Sequence, residues 1–189
     1  MKKLFSLLLA VSLLSGCVKK DATDAKAAAY ESYYETIVDA TSFTEASDYY
    51  TLSGEMTRMD DGTYRYYLVI DDVQIAMYDI VFMAVEDDLP FSEAKKMMPN
   101  IGIYDDKEYA MIPYQARQDA GYVKGLVISG NYDTSSVPLR VLVEWQGKNG
   151  ETTYREFWKL TLTEDGFDSR AEEPAEEETE GEEGTESNS

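Results

Sequence analysis

The side chains most able to do chemistry are carboxylates, and they come in neighbouring sets: Asp60-Asp61, Asp71-Asp72, Glu86-Asp87-Asp88 and Asp105-Asp106. Two carboxylates facing each other across ~5 to 9.5 Å in a cleft could act as the acid and base of a glycosidase. Loop carboxylates also suit calcium, which takes about six to eight oxygens. No segment has the EF-hand spacing with its closing glutamate, and adjacent Asp residues on turns ordinarily cap backbone groups and face water. The sequence therefore predicts turn acids and no metal site. It contains no histidine and one cysteine, Cys17. Ser-His-Asp and Cys-His nucleophile sets cannot be assembled, nor can histidine zinc sites. No glycine-rich nucleotide loop is present. The expectation is a protein without a cofactor that is not an enzyme.

Fifteen tyrosines and two tryptophans are a second resource. Such side chains combine apolar area with a hydrogen bond and are enriched at interfaces. Neighbours in a strand point to opposite faces, so of the pair Tyr66-Tyr67 one lies outside if the other lies inside. Tyr67, with Tyr49 and Tyr50, is the expected interaction surface.

Cys17 has no partner for an intramolecular disulfide, and its setting supplies another use. Lys2 and Lys3 precede an uncharged run, Leu4 to Leu14, with the charge and apolarity of a secretory signal. The run is shorter than the ~20 residues that span a bilayer. Leu14-Ser15-Gly16-Cys17 follows and resembles the lipobox of bacterial lipoproteins. The resemblance covers the leader alone and implies a diacylglyceryl group on the Cys17 thiol, with cleavage between Gly16 and Cys17. Two acyl chains hold a protein stably on a membrane at ~0.8 kcal/mol per buried CH₂. Lys19 and Lys20 would sit beside the headgroups. The localisation so implied is the extracytoplasmic side of a membrane, with lipid as one partner.

Charge divides the remainder. Residues 171–189 carry nine Glu, no Lys or Arg and no large apolar residue, a composition that cannot offset its ordering entropy. Residues 17–170 hold 28 acidic against 15 basic side chains, a net charge of −13. Phosphate backbones repel such a surface, so nucleic acid is not an expected partner.

The elements that must position these groups follow from periodicity. Tyr30, Tyr33, Tyr34, Ile37, Val38 and Thr41 recur on one face of a helix, either packed on the domain or forming a stalk that docks something else. From Tyr49 the period becomes alternating. Tyr64, Tyr66, Leu68 and Ile70 share a face after a turn at Asp60-Asp61-Gly62. In the next run Tyr78, Ile80, Phe82 and Ala84 face one way, and Met77, Val81, Met83 and Val85 the other, as in a strand covered on both sides. Leu139, Val141, Val143 and Trp145 point inward. After a hairpin at Lys148-Asn149-Gly150, Tyr154, Trp158, Leu160 and Leu162 do so too, with Trp145 near Tyr154.

The boundaries so read are a leader at 1–16, a lipidated tether at 17–21, a helix at 22–42, a β domain at 43–168 and a disordered acidic tail at 169–189. Seven or eight short strands predict a mainly β fold, an immunoglobulin-like antiparallel sandwich preceded by one helix. A small barrel packed on the helix is the alternative. The function expected is a membrane-anchored envelope lipoprotein whose sandwich binds another protein. The alternative is a carbohydrate or small-molecule binding module. A flat sheet face or free edge would favour the first and a tyrosine-lined cleft the second.

Overall fold

A computed structural model of the chain describes residues 17–117 and 121–170. The leader and the acidic segment 171–189, including its expected disorder, lie outside the described residues. Helix α1 spans Cys17–Val38. It is followed by β1 (Thr51–Arg58), β2 (Tyr64–Asp71), β3 (Tyr78–Glu86), a 3₁₀ turn (Phe91–Glu93), β4 (Asn100–Ile101), β5 (Ala110–Met111) and β6 (Tyr122–Val123). Then come β7 (Leu126–Tyr132), β8 (Ser136–Gln146), β9 (Thr153–Thr163) and β10 (Phe167–Asp168).

Alternation builds two four-stranded antiparallel sheets, in the orders β10-β1-β2-β7 and β4-β3-β8-β9. Between them lie Leu52, Tyr66, Leu68, Ile70, Phe82, Val141, Val143, Trp145, Trp158 and Leu162, all buried. The Lys148-Asn149-Gly150 hairpin sets Trp145 opposite Tyr154, and their rings stack at 5.3 Å and 8°.

The connectivity is that of an immunoglobulin-like sandwich. β1 and β2 form a hairpin, β3 crosses to the other sheet, β7 returns beside β2, and β8 crosses back beside β3. The sheets keep separate edges, which a closed barrel lacks. Antibody constant domains have a fourth strand beside the equivalent of β7. Here the sheet ends at β7, and the chain from Asp87 to Pro99 carries only the 3₁₀ turn.

β3 is covered on both faces. Val81, Met83 and Val85, with Leu142 of β8, pack beneath Tyr30, Tyr34 and Ile37 of α1. The expected placement of Met77 with Val81 is overturned: Met77 lies in the sandwich core beside Ile80. The register shifts between Tyr78 and Val81, and Asp79 has φ 49°. A bulge there inserts one residue and reverses the alternation.

The helix also differs at both ends from the 22–42 expected. It is continuous from Cys17 through the residues read as a tether, in keeping with the high helix propensity of its Ala and Lys. It stops at Val38, where the carbonyls of Val38 and Ala40 accept from the Arg140 guanidinium at 2.9 and 2.8 Å. Tyr30 accepts from the Met98 N–H at 2.7 Å, Tyr33 donates to Glu144 at 2.6 Å and Tyr34 donates to the Leu89 carbonyl at 3.1 Å. The tyrosine face is thus packed on the domain and is not a free stalk. Glu144 lies opposite Val81, and Arg140 opposite Val85, so α1 runs in the same sense as β3. Lys26, near the middle of the helix, reaches the Tyr104 carbonyl and the Asp106 carboxylate, at 2.9 and 2.8 Å. No helix of the described residues is long and apolar enough to cross a membrane.

Candidate functional site

The three tyrosines expected on a surface separate. Tyr67 projects from the outer face of β2 and is 36% exposed, while Tyr66 is fully buried. Tyr50 is a correction: it is 3% exposed, and its hydroxyl accepts from the Trp158 indole N–H at 2.8 Å. Tyr49 is half-buried, its ring 5.5 Å from Trp145 and 6.0 Å from Tyr154. These two precede β1, where an extended-strand alternation does not yet apply, and both rings join the aromatic end of the core. Burial pushes the Tyr50 hydroxyl pKa up, and the Glu156 charge adds to it.

The acidic sets are mostly backbone devices. Asp72, Asp87 and Asp88 have φ of 46°, 63° and 54°, a left-handed region that Asp tolerates better than most residues. Asp61 accepts from the N–H and hydroxyl of Thr63, at 3.0 and 2.6 Å. Asp105 accepts from the Gly102 N–H at 2.7 Å. Among the described residues, no three carboxylate, histidine or cysteine side chains gather as metal ligands.

Glu86 differs. It is the one charged side chain that is fully buried among the described residues. One oxygen accepts from the Tyr66 hydroxyl at 2.8 Å and the other meets Lys96 Nζ at 2.7 Å. Tyr66 can lie across to Glu86 because β7 has a glycine beneath its ring: a Cβ on Gly130 would stand 2.5 Å from it. Burial, then the Glu86 charge, holds the Tyr66 hydroxyl far above its ordinary pKa. Next in the chain, Tyr132 donates to Asp87, which pushes its pKa up to about 12. Asp88 is bound by Arg140, which holds its carboxyl below the usual range.

Glu86 forms the floor of an open cleft of about 820 Å³ between β7 and the 94–99 segment. Three cations, Arg65, Lys95 and Lys96, and three anions, Glu86, Asp87 and Asp133, line it. Tyr132 is its single tyrosine, and its hydroxyl is occupied by Asp87. One wall is the free edge of β7. Beside it the outer face of β10-β1-β2-β7 is uncovered and shows Tyr67, 36% exposed, and Val127, 52% exposed. Sequence reasoning found Tyr67 and the acidic run but missed the cleft. Its parts come from β2, β3, β7 and the 94–99 segment, and only the double Asp and the glycine in β7 signal it locally.

No family model, no curated protein and no solved structure matches the chain. Fold and site define a helix-backed immunoglobulin-like sandwich whose second sheet is capped by α1 and whose first sheet is open on its face and at β7.

Proposed function

We propose that the chain is an exported lipoprotein, anchored through acylated Cys17, whose sandwich binds another envelope protein. The uncovered sheet face that ends in the free β7 edge carries the interaction reading. An exposed edge offers main-chain groups that natural proteins otherwise cover or blunt. The Leu14-Ser15-Gly16-Cys17 sequence supports the anchor, and a helix that begins at Cys17 and docks on the sandwich would link the anchor directly to the domain. A small-molecule or carbohydrate module is less well supported, because the cleft lacks the tyrosine platform such a site would use.

The test is on intact cells. Mass spectrometry of the protein should find a diacylglyceryl adduct on Cys17, and Cys17→Ala should leave the membrane fraction. Crosslinking from Tyr67 should capture one dominant protein, lost in the Cys17→Ala form. An unmodified Cys17 would overturn the anchor. Absence of any enriched protein, where known neighbours are captured, would overturn the interaction reading.

A further inference from the structure

Resting on that interaction reading, we infer that β7 takes up an extended, carboxylate-bearing segment of the partner protein as a fifth strand of its sheet, beyond β7. In an antiparallel ladder successive residues direct their main-chain groups alternately toward the neighbouring strand and away from it. Lys96 Nζ bonds the Asn131 carbonyl at 2.5 Å from the cleft side, which fixes the phase. Val127, Ser129 and Asn131 therefore turn their N–H and C=O groups outward. Apart from that lysine contact these groups meet no main-chain partner among the described residues. Two further donor–acceptor pairs on one straight edge are what strand addition uses for affinity.

Space and charge select the occupant. The cleft lies along Ser129 to Tyr132, the second half of the edge that the missing strand would pair with, and its volume of about 820 Å³ lies within the ~300–1,000 Å³ of ordinary binding sites. Of its three carboxylates, Glu86 and Asp87 are engaged within the domain, and Asp133 is exposed at the end of β7. Arg65 holds a neutral group, the Asn131 side-chain oxygen, at 3.0 Å, and Lys95 is exposed at the rim. An added strand with Asp or Glu at alternate positions would place carboxylates toward these two cations. The chain's own residues 171–189 carry nine Glu, mostly in unbroken runs, two Gly and Pro174, all depleted in strands. A second copy would bring another domain of net charge −13 against the first. A foreign segment suits the edge better than either.

The probe is a phage-displayed library of random peptides matching the seven residues of β7, selected against the full chain. Selected peptides should be β-prone and carry alternate acidic residues. N-methylating alternate residues of a selected peptide should weaken binding about tenfold or more, since each lost main-chain bond costs a few-fold to tenfold. Bound peptide should slow amide exchange at Val127, Ser129 and Asn131. Ser129→Pro should abolish binding, because proline at an edge removes the donor without entering the ladder. Arg65→Gln with Lys95→Gln should remove the acidic preference. Selected peptides that tolerate N-methylation, or slow exchange elsewhere, would overturn strand addition. So would equal enrichment on Ser129→Pro and the parent chain. Faster exchange at Ser129 after deletion of 171–189, or protection that rises with protein concentration, would assign the edge to the tail or to a second copy. A partner captured from Tyr67 in cells without any β7 protection would sink this inference and leave the interaction reading standing.

Discussion

At the scale of single residues, Gly130, Tyr66 and Glu86 form one dependent set. The glycine leaves the space that the Tyr66 ring occupies, and the ring delivers its hydroxyl to a buried carboxylate. Gly130→Ala should displace the ring and destabilise the fold by about 1–3 kcal/mol, the cost of overpacking a tight core, as read from urea denaturation. A second consequence appears at high pH. Tyr132 has a folded pKa of about 12, raised first by its bond to Asp87, against about 10 unfolded. The folded state therefore keeps the proton longer. The stabilisation is complete below pH ~10 and is lost between there and ~12. Ultraviolet titration should show one tyrosine ionising near the top of that window, and Asp87→Asn should lower its pKa. The turn role of the paired acids was legible, since Asp is a turn former. The burial of Glu86 was not, because its partners lie 20 and ten residues away in the chain and meet it only after the sheets assemble.

Elements were the more legible level. A period of two assigned the inward faces of β2, β8 and β9 correctly, and the apolar residues on both sides of the third strand announced a second covering. The tyrosine stripe on the helix supplied that covering. The misplacement of Met77 shows where pattern reading stops: a bulge shifts phase without changing composition, and its only local mark is Asp79 in a left-handed conformation. Tyr50 fails for a related reason, since alternation has no meaning before the strand begins. The packing of α1 on β3 and β8 makes the helix part of the core. Tyr34 is fully buried, against Phe91 at 5.3 Å and with its hydroxyl on Leu89. Tyr34→Ala should cost about 3–5 kcal/mol, as aromatic truncations in cores do. Thermal unfolding should remain a single transition if helix and sandwich are one cooperative unit, whereas an early helix-only transition would show separate stabilities.

For the molecule as a whole, the asymmetry between its two sheets matters most. One carries a helix across its outer face. The other is bare and ends at β7, so on the proposed function the helix-covered side would attach and the open side would meet partners. Lys26 binds at the beginning of β3's side of the sheet, and the Arg140–Asp88 pair closes the helix at the other end. The Glu86 cleft belongs to that second end, where β3 finishes. Nothing in a single pattern of residues reveals this polarity, because it comes from the parallel sense of α1 and β3, a relation between segments ~50 residues apart.

That shared direction gives the helix the character of a mast. Its 22 residues at ~1.5 Å each make a rise of about 33 Å, and from Lys26 onward its contacts tie it to the domain. If the foot of the mast is fixed in a lipid surface, the open edge is held aloft at a set height, clear of headgroups. The acyl chains then leave the molecule free to drift sideways and spin about the bilayer normal, but not to stoop. Recognition would be confined to a thin layer about three nanometres above the bilayer, and a partner would be selected by how high it holds its strand as well as by what that strand contains.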